Sequence, residues 1–147
     1  MKEILSDLIA EQSIADAFVD GLSEAEWNQV IHSDLRVYDI EGIWTIKDVV
    51  SHIAVFDEAA AKLAAHEAND IKDITGGKMD EHLIYQPHIS MSKQELLRVW
   101  RETRTQLVNT LYHCDRKQRI PWAPGLPMSA RSMATARLME LWTHWVD

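Results

Sequence analysis

The sequence predicts an all-α fold, a four-helix bundle, and three observations carry that prediction. Apolar residues recur at helical spacing in four long stretches. Three helix starts show Ser or Thr followed three residues later by Glu or Asp, the pattern that caps a helix N-terminus. Nowhere do two alternating segments flank turn chemistry, so no strand pair is expected.

The first helix is expected over Lys2 to Leu22, where Ile4, Leu5, Leu8, Ile9, Ile14, Ala17 and Phe18 recur near the helical period and Gly21 marks the end. Ser23-Glu24-Ala25-Glu26 caps a short helical turn that carries Trp27. Residues 31 to 44 show no sustained period and read as a loop. Thr45-Ile46-Lys47-Asp48 opens a second long helix, running to about Asn69 without Gly or Pro. Residues 70 to 91 read as a connection with a short helix around Asp80 to Tyr85. Ser92-Lys93-Gln94-Glu95 opens the third long helix, to about His113. Pro121, Pro124, Gly125 and Pro127 forbid a regular helix over 115 to 128. The last helix starts near Ser129 or Ser132 and runs to the end. Four main helices joined by irregular loops make the bundle.

The 147 residues fit one domain, 1–147, long enough to bury a core. A formal net charge of -8 argues against general nucleic-acid binding, which rests on cations neutralising phosphates. The single cysteine, Cys114, excludes an intramolecular disulfide and has no second thiol nearby, so it reads as a part-buried structural residue. The first residues lack the apolar stretch of a signal peptide, and no apolar run is long enough to cross a bilayer. A cytoplasmic protein is the expectation.

Of seven histidines, only His52 and His144 follow a carboxylate by four residues: Asp48 before His52, Glu140 before His144. On a helix, residues four apart share a face, so each pair can converge on one point. His52 lies on the apolar stripe of its helix with Val49, Ile53 and Phe56; Glu140 and His144 border Ala134, Leu138, Leu141 and Trp145. A core-facing carboxylate is costly unless paired or bound to a cation, and a divalent metal would satisfy the imidazoles and the carboxylate together. The plain alternatives are a core histidine bonded to a carbonyl and a solvated Glu140–His144 pair. Asp48 has an alternative of its own, capping Thr45; its other use is as an outer partner of the metal site.

Two stretches then carry a family resemblance. Trp44-Thr45-Ile46-Lys47-Asp48-Val49-Val50-Ser51-His52-Ile53-Ala54 is the first; Pro127-Met128-Ser129-Ala130 with Ala134 through Asp147 is the second. Together they resemble the metal-binding domain of the mycothiol-dependent maleylpyruvate isomerase family, within the DinB-like superfamily of four-helix bundles. The resemblance implies a metal held by His52, Glu140 and His144 and a helix order other than a simple up-down meander. Family members continue into a smaller second domain that takes part in substrate or thiol handling. The chain would thus be the metal-binding part of such an architecture, or a member reduced to it. The family places Gly directly before the Trp, whereas here Glu41-Gly42-Ile43 precedes Trp44.

Three protein ligands leave positions open for chemistry, and two imidazoles with one carboxylate suit Zn²⁺ and also accept Ni²⁺ or Fe²⁺. Such a metal lowers the pKa of a bound water or thiol. The resemblance implies a low-molecular-weight thiol cofactor and a small unsaturated or electrophilic substrate, with thiol-dependent isomerase or S-transferase chemistry. Arg137, three residues before Glu140, could clamp a substrate carboxylate or pair with Glu140 or Asp147. Asp147 could accept the second N–H of His144. Trp44 and Trp122 could flank the mouth or simply pack on the bundle, and Trp142 and Trp145 read as core. Two competing expectations are a non-catalytic metal- or ligand-binding module, and a metal-free bundle that forms a homodimer through a helix face.

Overall fold

A computed structural model describes residues 1–31, 44–69, 71, 73, 88–123 and 126–145. Its elements are α1 (Lys2–Gly21), α2 (Glu24–Trp27), β1 (Val30–Ile31), β2 (Trp44–Thr45), α3 (Ile46–Ala64), α4 (Lys93–His113), β3 (Arg119–Ala123), β4 (Leu126–Ser129) and α5 (Ala130–Trp145). The expected turn at 80–85 and Asp147 fall outside the described residues.

The capping boxes form as their spacing requires. Ser23, Thr45 and Ser92 each accept from the backbone N–H three residues on, and Glu26, Asp48 and Glu95 reach back to the cap. Helix α5 starts at Ala130, where Ser129 Oγ accepts from the Ser132 N–H at 3.0 Å.

Helix α3 stops at Ala64, short of the expected Asn69. The cause is His66, whose φ of 59° places it in the left-handed region. The Glu67 N–H reaches Lys62 O at 2.8 Å and the His66 N–H reaches Leu63 O at 3.2 Å, the paired bonds that close a helix around a left-handed residue. Glycine usually fills that position, so no local signal announced the stop.

Two strand pairs overturn the expectation of none. Val30 pairs with Thr45 and Ile31 with Trp44, antiparallel, across the ends of the stretch read as a loop. Arg119 pairs with Ser129, Ile120 with Met128 and Ala123 with Leu126, with an irregularity between Ile120 and Ala123. The prolines that exclude a helix here are compatible with this hairpin, because a two-stranded pair consists of edges and can lose donors.

Hydrogen bonds fix the helix directions. Lys93 Nζ, opening α4, donates to the carbonyls of Asp20 at 2.8 Å and of Leu22 at the end of α1, so α1 and α4 are antiparallel. Lys47 Nζ, opening α3, donates to Ile89 O at 2.8 Å and Met91 O at 2.7 Å, just before α4. Gln118 Nε2, past the end of α4, reaches Ala64 O at 2.9 Å. Helices α3 and α4 therefore run parallel, and α5 returns against α3. The order is up-down-down-up, not a simple meander. Two apolar clusters fill the bundle, one around Leu8, Leu63, Leu107, Ile120 and Met133, the other around Val19, Trp27, Ile53, Leu97, Trp100 and Leu141.

Candidate metal centre

His52 projects from the second turn of α3, a turn fixed by the Thr45–Asp48 cap, and Glu140 and His144 project from successive turns of α5. The three donor atoms lie within 4.8 Å of one another. Glu140 Oε1 sits 2.8 Å from His52 Nε2 and 3.2 Å from His144 Nε2. Donors about 2.05 Å from a tetrahedral metal stand about 3.3 Å apart, so these separations are close to those of a tetrahedral edge. The donor set is two imidazoles and a carboxylate, the residue types that suit Zn²⁺. By chemistry and spacing, the residues fit a divalent metal.

Electrostatics point the same way. Burial holds the His52 imidazole below its usual pKa, against the opposing pull of the Glu140 hydrogen bond. The hydrogen bonds from His144 and His52 hold Glu140 far below the ordinary carboxylate range. A neutral imidazole and an ionised carboxylate are the forms that ligate metals. Each histidine Nε2 carries its proton while it donates to Glu140 and must offer a lone pair to a cation. Metal binding would therefore replace the two hydrogen bonds and move the imidazole protons to Nδ1.

Aromatic rings wall the site. Trp44 stacks on His144, with centroids 6.1 Å apart and planes at 17°, and meets His52 edge-on at 5.4 Å. Phe56 packs on His52 at 4.7 Å, and Trp122 from the hairpin backs Phe56 at 5.8 Å. The side chains of His52, His144 and Glu140 are 11%, 21% and 35% exposed, so the cluster opens to solvent on its Glu140 side.

The other sequence candidates fall differently. Asp48 Oδ2 accepts from the Thr45 N–H and Oγ1, each at 2.8 Å, which is the capping alternative. Arg137 turns to Asp57 in the core rather than to Glu140 or an open substrate site, while its alternative partner Asp147 lies outside the described residues. It is 3% exposed and donates from Nε to Asp57 Oδ1 at 2.8 Å. Asp57 was missed because a mid-helix acid among alanines carries no local sign of burial. Its second neighbour, Arg104, was missed for the same reason; the Arg104 Nη2 to Asp57 Oδ2 distance is 2.6 Å. Ser51 Oγ and His88 Nδ1, 2.6 Å apart and buried, form another unforeseen pair, tying residue 88 to α3. Cys114 is partly buried, with its pKa raised by burial, as a structural cysteine should be.

With fold and geometry described, comparison with known proteins decides the family. The family described as the mycothiol maleylpyruvate isomerase N-terminal domain matches residues 8–147. The chain belongs to this family. Among solved structures, that of the mycothiol-dependent maleylpyruvate isomerase superposes on the isomerase-family chain with a TM-score of 0.74 at 18% identity, covering 99% of this chain and 59% of that one. A histidine-to-alanine mutant of the isomerase superposes with a TM-score of 0.72, with the same identity and coverage. These establish the DinB-like fold. An uncharacterised protein of Mycobacterium tuberculosis, found in strains CDC 1551 / Oshkosh and ATCC 25618 / H37Rv, is 32% identical over 97% of this chain and 54% of its own length. The isomerase-family chain thus spans about half the length of the curated relatives it matches. Among the described residues, no helix is long and apolar enough to cross a membrane.

Proposed function

We propose that this domain holds a divalent metal, Zn²⁺ in preference to Ni²⁺ or Fe²⁺, through His52, Glu140 and His144, and serves thiol-dependent isomerase or transferase chemistry on a small electrophile. The observation that carries the reading is the convergence of two imidazole nitrogens on one carboxylate oxygen, with all three donors within 4.8 Å. When bound, the metal supplies a Lewis acid that makes a low-molecular-weight thiol or a water nucleophilic near neutral pH. The protein supplies the rest. Burial keeps His52 neutral and ready to ligate. Trp44 and Phe56 shield the imidazoles from water on their inner sides, and the exposed edge of Glu140 leaves room for thiol and substrate. Asp147 has the place in sequence of an outer partner to His144.

Elemental analysis of purified protein should find metal equimolar with the chain. His144→Ala should weaken binding by more than the about 10–100-fold typical of losing an outer partner. Metal-loaded protein with a small thiol and an electrophile such as maleylpyruvate should then turn over at a rate that rises with thiol. Metal without any thiol-dependent rate in the full-length protein would favour a second reading, a non-catalytic metal- or ligand-binding module. Its supporting observation is that the chain covers 54% of its curated relatives' length, so thiol and substrate handling could lie elsewhere.

A further inference from the structure

Beside the candidate metal centre lies a cluster of buried charge. Asp57 is 0% exposed, Arg104 2% and Arg137 3%. Arg137 Nε holds Asp57 Oδ1 at 2.8 Å, and Arg104 Nη2 stands 2.6 Å from Asp57 Oδ2. Two guanidinium groups face one carboxylate in the core, and Arg137 also helps to hold nearby Glu140 ionised. Asp57 Oδ2, all three Arg104 guanidinium nitrogens and Arg137 Nη2 have no hydrogen-bond partner among the described residues, so Arg104 meets Asp57 as an ion pair alone. Replacing a buried ion cluster by apolar side chains of similar volume is often neutral or stabilising, so such a cluster is weak evidence for a role in stability.

Its placement bears on the candidate metal centre. Asp57 follows His52 by five residues on α3, and Arg137 precedes Glu140 by three on α5. The α3–α5 seam therefore has two polar ties, His52–Glu140 and Asp57–Arg137, at different heights. They stand about 7.5 Å apart along α3 and about 4.5 Å along α5 at 1.5 Å per residue. One tie lets two helices pivot, whereas two fix slide and rotation together. The apolar residues these helices share in one cluster include Ala60, Ala61, Ala64, Ala130 and Ala134. Leu63 and Met133 are the larger buried side chains that the two helices add to the same cluster. A metal site tolerates donor displacements of only about 0.2 Å, far less than one residue's rise. The Arg137 guanidinium also lies 5.8 Å from the centroid of Phe56, the ring that packs on His52.

We propose that Asp57–Arg137 is a positioning pair that sets the register of α5 on α3 so that Glu140 and His144 meet His52. This rests on the metal reading above. Arg104 ties the same carboxylate to α4, which contributes no donor to the cluster, and so provides the control. Arg137→Met and Arg104→Met each leave one buried Asp–Arg pair, but only the first releases α5.

The test is Zn²⁺ affinity of the purified chain, measured by competition with a chromophoric chelator, with helix content followed in parallel. Arg137→Met should lose about tenfold or more, the loss typical of an outer partner, while Arg104→Met stays within about threefold. The direction excludes simple electrostatics, since deleting a positive charge beside the centre would strengthen cation binding. Co²⁺ absorption gives a second readout: a shifted register should change the ligand-field bands of Arg137→Met and leave those of Arg104→Met as in the parent. Should Arg137→Met fail to fold, Arg137→Lys keeps the charge but replaces the planar fork with a single ammonium, and its affinity should fall by about threefold or more. Equal losses in the two Met variants, or parent-like affinity in the folded Arg137 variant, would overturn the pairing role while leaving the metal reading intact. A parent chain that binds no Zn²⁺ would overturn both.

Discussion

His52 shows how one side chain can be prepared for a ligand by its surroundings. Burial disfavours its charged form, so its folded pKa lies below the unfolded value of about 6.5. The unfolded chain therefore takes up a proton that the folded chain refuses, and stability falls as pH drops below about 6.5. His88, shifted the same way by burial, adds to the same loss. Glu140, held down by its two imidazole partners, contributes stability that is present above about 4.3 and lost as pH falls toward its folded value. All three act in one direction, so the melting temperature of metal-free protein should fall steadily from pH 7.5 to pH 4. A flat profile would remove these assignments. The Glu140–His144 pair was legible in the sequence because a four-residue spacing on a helix is a local property. His52 could be joined to that pair only through the family resemblance, since the partners are 88 residues apart. Asp57, Arg104 and Arg137 were illegible as a set for the same physical reason: the fact that unites them is a shared depth in the bundle, which no spacing encodes.

At the scale of elements, the start of α3 matters most. Trp44 pairs with Ile31 in a strand, and the next residue, Thr45, caps the helix that carries His52 about two turns further on. Thr45→Ala should cost about 1 kcal/mol of stability, measured by denaturant unfolding, through loss of the cap. Affinity for Zn²⁺ should fall with it, because Trp44, which packs against both imidazoles, leaves the cap directly. The long helices were readable from periodicity and capping boxes. The strand pairs were not, because the first has only two residues on each side and the second is studded with prolines. In both, long-range packing rather than local propensity selects the extended backbone.

For the whole molecule, the parallel course of α3 and α4 has a kinetic consequence. Helices α1, α3 and α4 join through Lys93, Arg101 and Lys47, none of which requires α5. Two of the three candidate donors arrive only with that last helix. A chain with α1, α3 and α4 assembled but α5 undocked offers His52 alone on one side and the Glu140–His144 pair on the other. Docking α5 closes the connection 114–129, which costs roughly 2.5 kcal/mol of chain entropy, and that cost must be met before the three donors can act together. Metal capture would then come after the folding barrier. In stopped-flow measurements Zn²⁺ should leave the refolding rate almost unchanged and slow unfolding, with nearly all of the added stability appearing in the unfolding limb. The ion would act as a late latch on a chain already folded, so loss of metal would shorten the lifetime of the native state without hindering the route to it.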